Sequence, residues 1–422
     1  MASFRPQLRS ALGTRGRPIG TVSGWDVVAV AAALLPAPLV GQEVVVDLPA
    51  ADSTLNPEVE EVYRIGGLEA ERWAAFSLVT SVAFDDAGRL YVFDEDPPRI
   101  VVVQRDGSLV REFGREGEGP GEFILPSAFT VLRNGTSVVY DLGRAAFLLF
   151  NPDGVFDRQL RFSGRETVSV LGMEPARTRF AVVPVPAVVR TILNQTQRSM
   201  TVETGPVEYI VLTGDHPVRQ AIVAHRTSGI GAATEAVVFE PGLLIAPLDD
   251  GGVAFTDSTT YAINVTDAVG TVVRVLRRPV APAPVTSALR DAYLESRIEL
   301  LKEEFGDDEL GDLFGGVVDD EFIRGTLADL AFHDEVPVVR ALKAGWSSDL
   351  LWVERTGTSM TRDGLGGGAV DVLSPEGRYI GTYPAGTLPL PDAFGPDGLA
   401  AFIEYDQAGI LTIVVRKLTA VR

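Results

Sequence analysis

Short apolar runs rich in Val, Leu, Phe and Tyr recur along the chain, each ended by a turn built on Gly, Asp, Asn or Pro. The pattern predicts many short strands, because β-branched and aromatic side chains suit a pleated surface while Gly, Asn and Asp accept turn backbone. It is clearest from Ser81 to Phe123, SVAFDDAGRLYVFDEDPPRIVVVQRDGSLVREFGREGEGPGEF. Here strands are predicted to end at Phe84 and to cover Leu90 to Phe93, Arg99 to Gln104 and Leu109 to Phe113. Asp85-Asp86-Ala87-Gly88, Asp96-Pro97-Pro98 and Asp106-Gly107 form the turns between them. Four antiparallel strands in about forty residues make a sheet that cannot bury both faces alone and must stack on copies of itself.

The copies are present. Pro126 to Phe162 repeats the pattern with Asn134-Gly135 and Asp153-Gly154 at its turns, and Leu243 to Arg278 repeats it with a glycine turn before the second strand. Val338 to Tyr383 is a looser copy, and Phe394 to Leu418 stops at a third strand. The missing outer strand is expected from Val59 to Ile65, which closes the ring. Residues 165 to 238 form the weakest copy, with strands expected at Arg179 to Val183, Val188 to Leu193 and Val207 to Leu212. Counting it, the fold expected is all-β: a six-bladed β-propeller with a small α-helical insertion between two blades. The turn glycines Gly88, Gly135, Gly252 and Gly398 mark the repeat spacing.

The insertion is Thr286 to Glu335. Thr286 or Ser287 caps a helix carrying Leu294, Ile298, Leu301 and Phe305 at helical spacing, and a second amphipathic stretch holds Phe322, Ile323, Leu327 and Leu330. Its simplest role is to cap the ring or cover a sheet edge, with a ligand lid or partner surface as the alternative.

Ahead of the repeats, Arg5, Arg9, Arg15 and Arg17 precede the apolar run Val27 to Val40 and then Gly41-Gln42-Glu43. Basic, then apolar, then small is the order of a secretory signal peptide, so residues 1–41 are expected to direct export and 42–422 to form the propeller. The run is short for a membrane span, and no later segment is longer and apolar. A periplasmic or secreted location follows, with no membrane span once the leader is removed, and an uncleaved N-terminal anchor is the alternative. The formal charge of −20 becomes −23 without the leader, which holds four Arg and one Asp. A polyanion partner needs a basic surface, so nucleic acid is disfavoured; the group Arg274, Arg277, Arg278 is expected to decorate one strand and its turn. With no cysteine, disulfides, thiolate metal sites and cysteine nucleophiles are excluded.

Leu90 to Phe123 resembles an NHL repeat, and its tail FGREGEGPGEF is similar to that of bacterial six-bladed propellers of the TolB-like group. The resemblance implies a fold more firmly than an activity, because such propellers include binding scaffolds, lactonases and lyases. Gluconolactonase-like members hold a divalent cation with Glu, Asn and Asp from different blades. Amidating-lyase-like members add histidines, whereas this chain has only the dispersed His216, His225 and His333.

An acid ends the second strand of several repeats: Asp94, Asp141, Asp257, Glu354 and, less regularly, Asp406. Five carboxylates on one rim are candidate ligands for calcium, which takes six to eight oxygens. The competing reading is that each accepts backbone hydrogen bonds in the next turn, and recurrence at one repeat position favours it. A true site needs an asymmetric pocket and breaks the repeat. The glycine-rich Gly114 to Gly121 lacks the Lys-Ser/Thr ending of a phosphate loop and carries Glu116 and Glu118, so it reads as an inter-blade turn. No serine-nucleophile elbow, zinc-protease helix or EF-hand loop is present.

The expectation is therefore a monomeric, non-enzymatic binding or scaffolding propeller recognising a protein or small-molecule ligand on one face, with no cofactor. The alternative is a metal-assisted hydrolase or lyase, gluconolactonase-like, acting in the central channel.

Overall fold

A computed structural model of the protein describes residues 43–162, 170, 172–177, 180–184, 207–223, 237–314, 320–327, 330–347, 349–361, 364–406 and 408–419. The leader expected over 1–41 and the strand expected over Val188 to Leu193 lie outside them. Two strands precede the repeats, β1 (Val44–Asp47) and β2 (Val59–Gly66). Blade 1 consists of β3 (Val79–Phe84), β4 (Leu90–Glu95), β5 (Pro98–Val103) and β6 (Leu109–Phe113). Blade 2 is β7 (Pro126–Val131), β8 (Ser137–Asp141), β9 (Ala146–Phe150) and β10 (Phe156–Leu160). Blade 3 is β11 (Met173–Pro175), β12 (Ala181–Pro184), β13 (Val207–Val211) and β14 (Val218–Val223). Blade 4 is β15 (Leu244–Pro247), β16 (Val253–Thr256), β17 (Ala262–Thr266) and β18 (Val272–Arg277).

The short pair β19 (Ala283–Pro284) and β20 (Glu335–Val336) frames the insertion, which holds α1 (Ser287–Phe314) and α2 (Asp320–Leu327). Blade 5 follows as β21 (Val339–Ala344), β22 (Leu351–Thr361), β23 (Gly364–Leu373) and β24 (Tyr379–Tyr383). Blade 6 has β25 (Ala393–Phe394), β26 (Leu399–Tyr405) and β27 (Leu411–Leu418), with β2 as its fourth strand. In every blade neighbouring strands pair antiparallel, in sequence order except for β2, giving six sheets.

Burial explains why the strands read as continuous apolar runs. In β4, Leu90 and Val92 enter the cluster shared with blade 6, whereas Tyr91 and Phe93 enter the one shared with blade 2. In β5, Val101 and Val103 go one way, Ile100 and Val102 the other. Side chains alternate across a strand, so a sheet packed on both sides needs apolar residues at both parities. The six buried clusters each join two neighbouring blades, and together they run round the whole ring. Aromatic contacts reinforce two of these joints: Phe93 stacks on Phe129 at 5.2 Å, and Trp352 on blade 5 lies 5.1 Å from Phe394 on blade 6.

The turn glycines behave as expected in blades 1, 2 and 6, where Gly88, Gly135 and Gly398 have φ of +74°, +87° and +80°. In blade 4 that role passes to Gly251, at φ +87°. Gly252 is needed for a different reason: a Cβ there would lie 2.2 Å from the Thr266 carbonyl oxygen. The insertion begins as its sequence indicates, with the Leu289 amide donating to Thr286 Oγ1 at 3.2 Å. Among its described residues Tyr293, Ile298, Ile323 and Leu327 are buried, and Tyr293 meets Phe239 and Phe332 edge-on.

Ring closure uses two devices. As expected, β2 pairs with β27, Val59 opposite Leu418 through to Gly66 opposite Thr412. Ahead of it lies a strap the sequence pattern does not announce. β1 adds in parallel to the outer edge of β18, and Ser53 to Leu55 then bond to Thr382 on the edge of blade 5. The strap thus crosses blades 4 and 5 before β2 completes blade 6.

Arg278 is the anchor, not surface decoration on a strand. Its side chain is fully buried and donates to Pro49 O at 2.9 Å, Asp52 Oδ1 at 2.6 Å and Asp371 Oδ1 at 2.9 Å, while covering the Tyr379 ring. Arg355 adds a bond to Asp52 Oδ2 at 2.8 Å. Burial alone pushes the Asp52 carboxyl up, but the two arginines outweigh it and hold it below its usual range.

Removing one partner of a buried ion pair leaves the other uncompensated, so Arg278→Met is expected to cost roughly 3–5 kcal/mol in urea denaturation. Arg278→Met with Asp371→Leu should recover most of that loss, since the stranded carboxylate is then gone. Equal stabilities for the single and double variants would refute the anchoring role.

Candidate functional site

The first strands of all six blades surround a central cavity of about 440 Å³. Its wall takes Thr80 to Phe84 from blade 1, Ser127 to Val131 from blade 2, and shorter stretches of β11, β15, β21 and β25. The meander forces every blade to place its 1–2 and 3–4 turns at one end of the ring and its 2–3 turn and inter-blade connection at the other. The insertion and the long β22–β23 hairpin therefore belong to the second end.

At the first end the cavity is spanned by side chains. Arg133, in the blade 2 turn, donates to Asp249 Oδ1 at 3.0 Å and Trp346 O at 2.5 Å, and its guanidinium lies 4.7 Å from the Trp346 ring. Arg177, in the blade 3 turn, donates to Ala344 O, Gly345 O and Trp346 O at 3.0, 2.9 and 2.5 Å. These bonds reach from blades 2 and 3 across to blade 5. Burial, together with the neighbouring Arg133, lowers the Arg177 pKa, and Glu174 opposes that shift. The two arginines and Trp346 form the cavity floor.

Three carboxylates line the wall, on blades 1, 3 and 6: Glu95, Glu174 and Asp392. Glu95 Oε1 accepts one bond, from Thr80 Oγ1 at 2.8 Å, and burial raises its pKa with only that hydroxyl in opposition. Asp392 opens to cavity solvent yet is enclosed by protein; burial raises it, against the pull of Lys343 and a bond from the Ile403 amide at 2.6 Å. Lys343 Nζ donates to the Asp392 carbonyl oxygen. Because β25 is only two residues long, a side cleft of about 300 Å³ opens between blades 5 and 6, lined by Arg340, Lys343, Pro391, Asp392 and Ile403.

The five rim acids singled out by the repeat do different work. Asp94 is fully buried; its Oδ1 accepts the amides of Ser77 and Leu78, at 3.3 and 2.9 Å, and its Oδ2 accepts Arg99. Asp141, equally buried, accepts Ile124 N at 2.8 Å, Leu125 N at 3.2 Å and Arg144 N at 3.0 Å. Both acids hold the connection entering their own blade. Glu354 accepts Arg340 Nη1 at 2.7 Å, Asp406 caps an exposed turn through the amides of Ala408 and Ile410, and Asp257 sits half-buried after β16. Among the described residues no three His, Asp or Glu are gathered closely enough to hold a metal ion.

The glycine-rich stretch is an inter-blade turn. Arg144 Nη2 donates to the carbonyls of Gly117, Gly119 and Glu122, and Glu122 accepts the Gly119 amide at 2.7 Å. His216 bonds the Arg161 carbonyl and His333 that of Glu335; neither lines the cavity.

Residues 67–165 match a family model, DUF5128, described as a 6-bladed beta-propeller. The chain is a six-bladed β-propeller. A Bacteroides fragilis protein described as exported is similar in structure, with a TM-score of 0.50 and 11% identity over 90% of this chain and all of that one. A DUF4221 family member from Bacteroides vulgatus gives 0.50 and 10%, covering 86% of this chain and 99% of the other. Virginiamycin B lyase from Staphylococcus aureus aligns at 0.38 and 11%, over 83% of each chain. No curated protein matches the sequence. At these identities the two matches at 0.50 extend to the fold alone.

Asp141→Ala is expected to cost about 1–3 kcal/mol, because three amides lose an acceptor whose side chain is fully buried. Asp406→Ala should cost less, since its amides can turn to solvent. Urea denaturation of the two variants tests this, and equal losses would contradict the rim reading.

Proposed function

We propose that the protein is an exported, non-enzymatic binding propeller that takes a small polar ligand into its central cavity through the end opposite the Arg133–Arg177–Trp346 floor. The cavity carries this reading: its volume falls in the range of small-molecule sites, and its three carboxylates, Glu95, Glu174 and Asp392, converge from different blades. The helical insertion and the long β22–β23 hairpin lie at the end opposite the floor, where recognition surfaces usually form. Export is supported by the order of basic, apolar and small residues over 1–41 and by the exported character ascribed to the Bacteroides fragilis protein of similar fold. Among the described residues no helix is long and apolar enough to cross a membrane. Kinship with NHL-type and TolB-like propellers is proposed on the Leu90 to Phe123 stretch.

The test is native mass spectrometry of protein recovered from the compartment to which it is exported. A co-purifying small molecule is expected with the wild type and absent from Thr80→Trp, whose indole would fill the mouth from an exposed wall position. A ligand retained by Thr80→Trp would place binding elsewhere. A rise in Tm with calcium that a chelator reverses would instead favour the metal-assisted hydrolase or lyase.

A further inference from the structure

Building on the binding reading above, we propose that Glu95 selects the ligand of the central cavity, and that this ligand carries an organic cation such as a protonated amine. Of the three wall carboxylates, Glu174 is close enough to Arg177 to oppose the burial that lowers that arginine's pKa, and Asp392 faces Lys343. Glu95 has no cationic neighbour among the described residues; the Thr80 hydroxyl is its one side-chain partner. A half-buried carboxylate without a counter-charge is unfavourable in a folded protein unless something else supplies the charge. The cavity onto which it opens is where that charge can enter.

Its place in the repeat supports the assignment. Asp94, one position earlier, does the structural work of the rim and has an equivalent in Asp141. The residue after Asp141 is Leu142, so Glu95 is not demanded by the blade. The cation is organic because no second and third acid stand beside Glu95 to complete a metal shell among the described residues, whereas one carboxylate and one hydroxyl suffice for an ammonium. The mature chain's excess of acids would draw such a ligand towards the ring.

Isothermal titration at low salt with 1,5-diaminopentane, 1,5-pentanediol and glutarate, matched in length, tests the charge requirement. The diamine is expected to bind at least about tenfold more tightly than the other two, and Glu95→Gln to remove about that factor. Glu118→Gln, in the exposed inter-blade turn, should leave diamine binding unchanged. Folding is checked separately. A carboxyl whose pKa is raised in the native state stabilises it below the ordinary carboxylate range, and this is lost as pH rises through the folded value. Glu95→Gln should therefore have a higher Tm than the wild type at pH 7. Equal diamine affinity in wild type and Glu95→Gln, or equal affinity for diamine and diol, overturns the proposal. Binding of diol or glutarate that Thr80→Trp abolishes would reject the amine while leaving a binding cavity in place. Failure of all three probes also rejects the amine, and the channel reading then rests on its native-ligand experiment.

Discussion

Everything in this molecule follows from sheets that are apolar on both faces. A four-stranded blade with Leu90 and Val92 on one side and Tyr91 and Phe93 on the other has no face to give to water. Each blade must be covered twice, and an open stack would leave two terminal faces bare. Closing the ring removes both ends at once. The constraint reaches beyond packing, because it leaves few places where a side chain is free to be anything but apolar. Those places are the turns, the outer edges, and the inner strands where they face the cavity.

Function is consequently to be sought where the repeat is broken. Asp94 and Asp141 have the same environment in adjacent blades and the same task, accepting amides of the connection that enters the blade. A residue that recurs in this way is explained by the repeat itself. Glu95, Glu174 and Asp392 recur nowhere, yet all reach one cavity. The floor differs, since Arg133 and Arg177 hold the same turn position in adjacent blades, and its asymmetry lies in both meeting the turn of blade 5. Chemistry with no counterpart in the neighbouring blade is chemistry the fold does not require.

The blades, the outer strand lent by β2, the helical insertion and its Thr286 cap were all legible in the sequence, because each rests on local spacing: apolar runs, turn glycines, a capping residue before a helical stripe. The count of six came from the same source, even though blade 3 was faint. The cavity residues were not legible. Glu95 stands beside a repeat acid and looks like part of it, while Arg133 and Arg177 read as ordinary turn arginines. Their roles depend on which blades face one another across the ring, a relation that separates residues by more than a hundred positions and leaves no local period. Arg278 departs from expectation for the same reason. In the chain it ends a strand among other arginines, and only the strap, whose Val44 and Val45 lie exposed, reveals what it holds.

The strap also accounts for where the ring needs help. Blade 6 has the shortest inner strand, and beside it the wall opens into the side cleft between blades 5 and 6. A ring is only as closed as its weakest joint, because one opened interface exposes two apolar faces. The N-terminal segment compensates from the outside, bonding to the outer edges of blades 4 and 5 before entering blade 6. Its one buried charge network sits where that segment passes from blade 4 to blade 5. Charged groups buried there cost more than apolar ones would, but they bond only in one arrangement, so they specify the path of the strap. The next joint, between blades 5 and 6, is the irregular one on its inner side, and there Lys343 meets the Asp392 carbonyl at the cavity wall.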